Sequence, residues 1–383
     1  IITLRDAAAL AIAHNPDLAA ASWEVAAREA GTRQAGVRPN PALEFEAEEF
    51  GGPGERRRFE AAEVSVRLSQ VLELGAKRAK RVRMASLDRN LSEWDREILR
   101  LDTLTGVAKA FIDVVAAQEL HALARENLET AGALHSAAAE RVKAGKVPPL
   151  EESRARAELA AARIESERTA RELADARAAL AASWGGTNPV FESARGSLEG
   201  IVPVPSVDAE KILASGPDMA RLDAYVERQA AAVEVEKSHR IPDVTVTGGG
   251  MRFNDEGANA VVAGLSVPVP LFDRNRGNVD GERANLAKAR EERRSGLVAA
   301  HVRVLGVLRE LSSACAQASA LSADVIPAAK SAFDAASEGY RAGKYSGLDV
   351  LEARRAYIAA KKEIIWALAS YHKAAADIER LAG

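Results

Sequence analysis

Between Pro53 and Pro148 the chain contains no proline, and from about Lys77 to Ala144 its pattern is helical. Ile98, Leu101, Leu104, Ala108, Phe111 and Val115 recur at steps of three and four, the spacing of one helix face. At 1.5 Å per residue this run predicts roughly 100 Å of helix, far beyond the globular average. The return segment, about residues 150–184, is also proline-free and rich in alanine. Alanine favours helix and lets helices approach closely, but buries little area per residue. The chain is 47% hydrophobic and only 4% aromatic, so the elements are expected to pack as thin layers. Long antiparallel hairpins with short tip loops read as coiled-coil packing.

The same plan occurs twice, in residues 1–200 and 201–383 of the 383-residue chain. Asn15-Pro16-Asp17 and Gly216-Pro217-Asp218 each break a short helix and start a second. Those second helices end near Arg38-Pro39-Asn40-Pro41 and Arg240-Ile241-Pro242-Asp243. Two strands follow in each half, at about 42–50 and 61–71, and at about 243–252 and 260–270. Long helices follow at about 77–144 and 150–184, and at about 275–342 and 347–381. Pro327 predicts a kink in the third of these. A glycine turn joins each pair, at Ala144-Gly145-Lys146 and Ala342-Gly343-Lys344.

The strands are two-sided. Leu43, Phe45 and Ala47 alternate with Glu44, Glu46 and Glu48, and Val64, Val66 and Leu68 with Glu63, Ser65, Arg67 and Ser69. Val244 and Val246 alternate with Thr245 and Thr247; the fourth run, Val261 to Val269, is less clearly two-sided. Each run has about the length a tilted strand needs to cross a bilayer, with one apolar face for lipid and one polar face for water. Four strands cannot close a barrel, and open edges are not tolerated in hydrocarbon. Two chains would give eight strands with a filled interior; three would give twelve and leave a bore, so the trimer is the smallest conduit.

Other classes fit poorly. The net charge of -3, with both signs interleaved, argues against a nucleic-acid partner. Cys315 is the only cysteine, which excludes an intrachain disulfide and a cysteine metal cluster. His14, His121, His135, His239, His301 and His372 are dispersed without helical pairing. No nucleophile–base pairing, phosphate-cradling glycine loop or metal cluster points to an enzyme or to a cofactor. No apolar run approaches the ~20 residues of a membrane-spanning helix. The chain opens at Ile1 without methionine or a leader-like segment, the pattern expected of a mature or trimmed form.

Three strings carry a resemblance. They are Arg38-Pro39-Asn40-Pro41-Ala42-Leu43-Glu44, then Leu68-Ser69-Gln70-Val71-Leu72-Glu73-Leu74-Gly75-Ala76-Lys77-Arg78, and Val267-Pro268-Val269-Pro270-Leu271-Phe272-Asp273-Arg274-Asn275. With the doubled plan, they make the chain resemble the TolC family of outer-membrane factors over essentially its whole length. Within it, they look like the heavy-metal efflux branch, the CzcC/CusC/CnrC type. The resemblance implies a homotrimer with a twelve-stranded β-barrel in the outer membrane of a Gram-negative bacterium and a long α-barrel in the periplasm. It implies docking on a periplasmic adaptor (a membrane fusion protein) coupled to an inner-membrane, proton-driven RND pump. The family often carries an N-terminal lipidated cysteine, and this chain starts without one.

The resemblance also assigns residues. The tips, with Gly145, Lys146 and Leu150 in one turn and Gly343, Lys344 and Leu348 in the other, match the adaptor contact and the periplasmic constriction. Asp349 and Glu352 match acidic residues that line the closed entrance, and Glu151 and Tyr340 match positions that link neighbouring hairpins. Tyr345 departs from the best-known relative, which has a basic residue there, so that ion-pair latch is not implied. The local reading of both turns is glycine C-capping followed by a helix start with acidic residues at its N-terminus. Glu44, Glu46 and Glu48 are expected to face the lumen as a solvated acidic wall, since no converging ligands for a divalent ion can be identified. Arg56-Arg57-Arg58, after Gly51-Gly52-Pro53-Gly54, reads as an exposed hairpin loop. The competing readings are a duct for organic compounds or drugs, and a non-membrane coiled-coil scaffold.

Overall fold

The computed structural model describes residues 1–52, 59–201, 212 and 216–383. The Arg56-Arg57-Arg58 loop and most of the helix expected ahead of Pro217 lie outside the described residues. The elements run α1 (Leu4–His14), α2 (Pro16–Ala35), β1 (Ala42–Glu48), β2 (Glu63–Leu72), α3 (Lys77–Lys143) and α4 (Pro149–Ala182). They continue with α5 (Pro217–Ser238), β3 (Val244–Phe253), β4 (Ala258–Ser266), α6 (Arg276–Ala320), α7 (Ile326–Arg341) and α8 (Gly347–Ala382). The 67 residues of α3 form one unbroken helix. Contacts divide the chain into a unit of residues 1–20, 96–219 and 297–383 and a second unit of residues 21–95 and 220–296.

The first unit is helical. Its core joins Ala7 and Ala11 of α1 to Val107, Val114, Leu180 and Ile365 on α3, α4 and α8. Ile2 forms a parallel bridge to Ala194, with its N–H donating to the Ser193 carbonyl at 2.9 Å. Because alanine buries little area, ion pairs supplement the seams. Lys109 meets Asp377 at 2.6 Å, Lys361 meets Glu126 at 3.4 Å, and Lys373 meets Asp113, so α8 is stitched to α3. Arg355–Glu158 and Lys362–Glu165 stitch α8 to α4. Individually such surface pairs contribute about 0–1 kcal/mol, and their use here is to fix helix register.

In the second unit the four strands form one antiparallel sheet in the order β1-β2-β3-β4. Its register aligns the faces: Phe45 pairs with Val66, Val66 with Gly250 and Gly250 with Val261, while Leu43, Leu68, Gly248 and Ala263 form the next row. On this face Phe45 is 71% exposed, Val261 90% and Leu265 72%, so the apolar side of the sheet is bare. The helix α5 is tied to α3 by Arg221–Asp95 and Arg228–Asp88, and to α6 by Arg293–Asp223.

Two expectations need correction. The strand β1 ends at Glu48 rather than residue 50 and has seven residues, fewer than expected; Glu49 takes a φ of 55°, which breaks the extended run. The fourth strand covers Ala258–Ser266 rather than 260–270, because Pro268 and Pro270 lack the N–H that a ladder needs. The other strand and helix limits differ from expectation by one or two residues. At Pro327 the helix adopts a π turn over Leu321–Val325, closed by the Ile326 N–H donating to the Leu321 carbonyl. Proline at 327 removes a donor, and the wider turn absorbs the mismatch.

Candidate functional site: hairpin tips and a two-faced sheet

Both hairpin turns are built alike. At the end of α3, the Gly145 N–H donates to the Val142 carbonyl and the Lys146 N–H to the Arg141 carbonyl, each at 2.9 Å. At the end of α7, the Gly343 N–H donates to the Tyr340 carbonyl at 3.1 Å and the Lys344 N–H to the Gly339 carbonyl at 2.8 Å. Gly145 and Gly343 sit at φ of 68° and 75°, left-handed values that glycine adopts without a Cβ penalty. Lys146 and Lys344 are exposed, and Leu150 and Leu348 are 57% and 40% exposed just beyond the turns.

The two tips then meet. Tyr340 is buried, its hydroxyl makes a long 3.5 Å contact to Glu151 Oε2, and its ring lies 4.3 Å beneath the Arg141 guanidinium. Arg141 Nη1 also donates to the Tyr340 carbonyl at 3.2 Å. Gly347 leaves room for this, since a Cβ there would stand 3.2 Å from Glu151 Oε2. Apolar packing underneath comes from Ala336, Tyr340 and Val350, with Leu134 and Phe333 alongside. The structure thus brings Glu151 and Tyr340 together, while Asp349 and Glu352 lie one turn apart on α8 and both are exposed.

Asp349 has a local partner. Its carboxylate accepts from the Ser346 N–H and hydroxyl, both at 2.8 Å, and its own N–H donates back to Ser346 Oγ at 3.3 Å. These bonds, the backbone one foremost, hold its carboxyl below the ordinary value. Asp349 therefore stays ionised through the neutral range.

Sequence reasoning missed three partners here. Gly339 faces the Tyr345 ring so closely that a Cβ would fall 2.0 Å from Cδ2. Arg354 is 5% exposed and donates to Asn127 Oδ1 at 2.7 and 3.0 Å; burial pushes its pKa down. Arg141 is the third, with its cation over a buried ring. A glycine in a helix interior was the one signal in the sequence for the first of these.

In the sheet, Glu44, Glu46 and Glu48 share the face opposite Leu43 and Phe45; Glu44 and Glu48 are exposed and Glu46 is half-buried. Arg67 on β2 meets Glu46 at 2.8 Å, so this face carries both charges rather than acid alone. Among the described residues, no three His, Cys, Asp or Glu side chains converge to hold a metal, and no helix is long and apolar enough to cross a membrane.

The chain is 34% identical to the cobalt-zinc-cadmium resistance protein CzcC of Cupriavidus metallidurans, over all of this chain and 90% of that one. It is 28% identical to the nickel-cobalt-cadmium resistance protein NccC of Alcaligenes xylosoxydans xylosoxydans, over 73% of this chain and 64% of that one. Among solved structures, CusC matches with a TM-score of 0.79 at 18% identity, covering 99% of this chain and 92% of that one. The model of the outer membrane efflux protein family matches residues 7–186 and 209–383. A match across both halves, together with 34% identity to CzcC over the whole of this chain, makes this chain a member of the outer membrane efflux protein family.

Proposed function

We propose that the chain is one protomer of a homotrimeric outer-membrane duct that exports heavy-metal cations as part of a tripartite pump. The observation that carries this reading is the unfinished sheet. One face is apolar and bare, and among the described residues no strand pairs with β1 or β4 on its outer side. In hydrocarbon an open strand edge costs several kcal/mol per unpaired group, so the sheet must be completed by further copies. Three copies supply twelve strands and a water-filled bore. The long helices, at about 100 Å for α3 alone, suit a periplasmic tunnel.

In this reading the polar sheet face, with Glu44, Glu46 and Glu48, lines the lumen. The tips at Gly145, Lys146, Leu150, Gly343, Lys344 and Leu348 meet a periplasmic adaptor bound to an inner-membrane RND pump. Residues 1–200 and 201–383 are the two halves of a tandem repeat, and both contribute to barrel and tunnel. Asp349 and Glu352 gate the entrance, and Glu151 with Tyr340 links adjacent hairpins. A ring of carboxylates around a threefold axis repels itself, attracts cations, and relaxes as the aperture widens. The names of CzcC and NccC support a metal cargo, and selectivity belongs mainly to the pump, because a wide aqueous duct selects poorly. No catalytic step is involved.

Planar-bilayer conductance with the oligomer mass in detergent tests the class: large, weakly selective trimeric pores are expected. A silent, detergent-independent single-copy species would overturn it. Asp349→Ala with Glu352→Ala should raise single-channel conductance and weaken block by multivalent cations; unchanged values remove them from the gate. Loss of cobalt, zinc and cadmium tolerance on deleting the gene tests the cargo.

A further inference from the structure

All four strands meet their helices and linkers at one end of the sheet, since β1 and β3 start where β2 and β4 finish. At this end Arg38, Arg78, Arg240, Arg274 and Arg276 are exposed, and none makes an ion pair among the described residues. They come from four separate segments, so no single basic run explains them. Arg38 and Arg78 line one groove with Gln70 and Leu72, and the Gln70 amide donates to the Pro39 carbonyl at 2.9 Å, which fixes its floor.

The nearby acids are already engaged. Asp243 holds Lys77 at 2.7 Å and accepts from the Leu74 N–H at 3.0 Å, and Glu73 holds Arg81. Asp273 accepts from the Asn275 N–H at 2.9 Å, and Glu236 from the Asn275 amide at 2.7 Å. The five arginines are left without an internal counter-charge, and a concentration of one sign of charge attracts an external anion.

Helix chemistry sharpens the point. Helices α1, α2, α4, α5 and α8 carry Asp or Glu in their first turn, as the dipole favours. The helices α3 and α6, which start at this end of the sheet, carry none, and begin with Lys77-Arg78 and Arg276 instead. Cations at a positive helix end are locally unfavourable, and an external anion there reverses the sign.

An apolar strip adjoins them. Past the end of β4, in the segment leading to α6, Val269 is 72% exposed, Leu271 64% and Phe272 98%. A strip of apolar side chains flanked by arginines is the profile of a surface at the boundary between acyl chains and headgroups.

We propose that this basic collar binds the phosphate headgroups of anionic phospholipid in the periplasmic leaflet, fixing the depth of the sheet in the bilayer. The proposal rests on the outer-membrane reading above. Guanidinium groups bind phosphate oxygens in a bidentate manner, and five of them spread over four segments suit a leaflet plane rather than one ligand pocket.

The test uses the full chain in detergent, offered equal phosphatidylglycerol and phosphatidylethanolamine, with retained lipid measured after gel filtration at low and high salt. Phosphatidylglycerol should be retained several-fold over phosphatidylethanolamine, with the preference falling at high salt. The arginines share that preference, so it should fall stepwise as each is removed. The variant Arg78→Gln/Arg274→Gln/Arg276→Gln should lose it, whereas Arg163→Gln/Arg171→Gln/Arg303→Gln, of equal charge change on α4 and α6, should keep it. If the triple variant does not fold, Arg274→Gln alone is read the same way. Equal retention of both lipids by the parent, or an unchanged preference in the collar variants, overturns the proposal. So does loss of the oligomer with the preference intact, which would assign the arginines to contacts between copies. Conductance of the same preparations separates the two claims: pores without lipid preference sink only the collar, and silence sinks the duct.

Discussion

The two hairpin tips start from the same turn and diverge within a few residues. Counted from the turn glycine, Arg141 of the first hairpin stands where the second has Gly339, Val142 where it has Tyr340, and Val147 where it has Tyr345. Pro148 faces Ser346, Glu151 faces Asp349, and the exposed Arg156 faces the buried Arg354. The first tip supplies charge, in Arg141 and Glu151, and the second supplies the aromatic ring that lies between them. Even the helix starts differ. The helix α8 opens with a reciprocal cap between Ser346 and Asp349, whereas α4 opens on Pro148 and Pro149 with no side-chain cap. Equal turns thus carry unequal lateral partners, and the second hairpin depends more on specific contacts.

Gly339→Ala breaks the comparison most strongly. The added methyl displaces Tyr345, which should cost about 2 kcal/mol, with faster amide exchange over residues 336–352 and little change over 136–155. Exchange that rises equally in both tips would show that the asymmetry carries no energy. Next in size is Ser346→Ala, at about 1 kcal/mol of local opening in the first turn of α8. Pro148→Ala should change the first turn of α4 by less than about 0.5 kcal/mol. Equal effects would mean that the cap is redundant.

A pH-dependent effect sharpens the contrast between tips and shaft. Glu165 on α4 is held at about 2 by the hydrogen bond from Arg168 and then by Lys362 on α8, against the desolvation that opposes its charge. Because the folded value is depressed, its contribution is present above the ordinary value of 4.5 and fades as pH falls toward about 2. Glu165→Gln should flatten that part of the acid-unfolding curve and cost under about 1 kcal/mol near neutrality. A curve that keeps its slope between pH 4.5 and 2 would take Glu165 out of the acid response.

The long helices were legible because proline-free, alanine-rich runs leave few alternatives, and the strands because Leu43 to Glu48 and Glu63 to Ser69 alternate without fault. The end of β4 was misjudged: Val267 and Val269 continue the apolar alternation, and Pro268 and Pro270 beside them outweigh it. Pro327 marked the right place for a helix defect, but whether a helix bends or widens depends on its neighbours. The turn glycines were readable at sight. The approach of Tyr340 to Glu151 was not readable from periodicity, since it joins residues 189 apart through packing of two hairpins. The seat of Arg354 on Asn127 was hidden for the same reason: a helical arginine reads as solvated until its neighbour is known. The collar arginines were each visible, and only the strand register gathers them.

Under the trimeric reading proposed above, the open margins of β1 and β4 have a genetic consequence. When a wall is shared among copies, a chain with sound strands but a faulty tip is still built into the ring and spoils it for its sisters. Such an allele acts dominantly when co-expressed with the normal gene. A lesion that ruins either margin strand bars its product from assembly, leaves the normal copies to join one another, and is recessive.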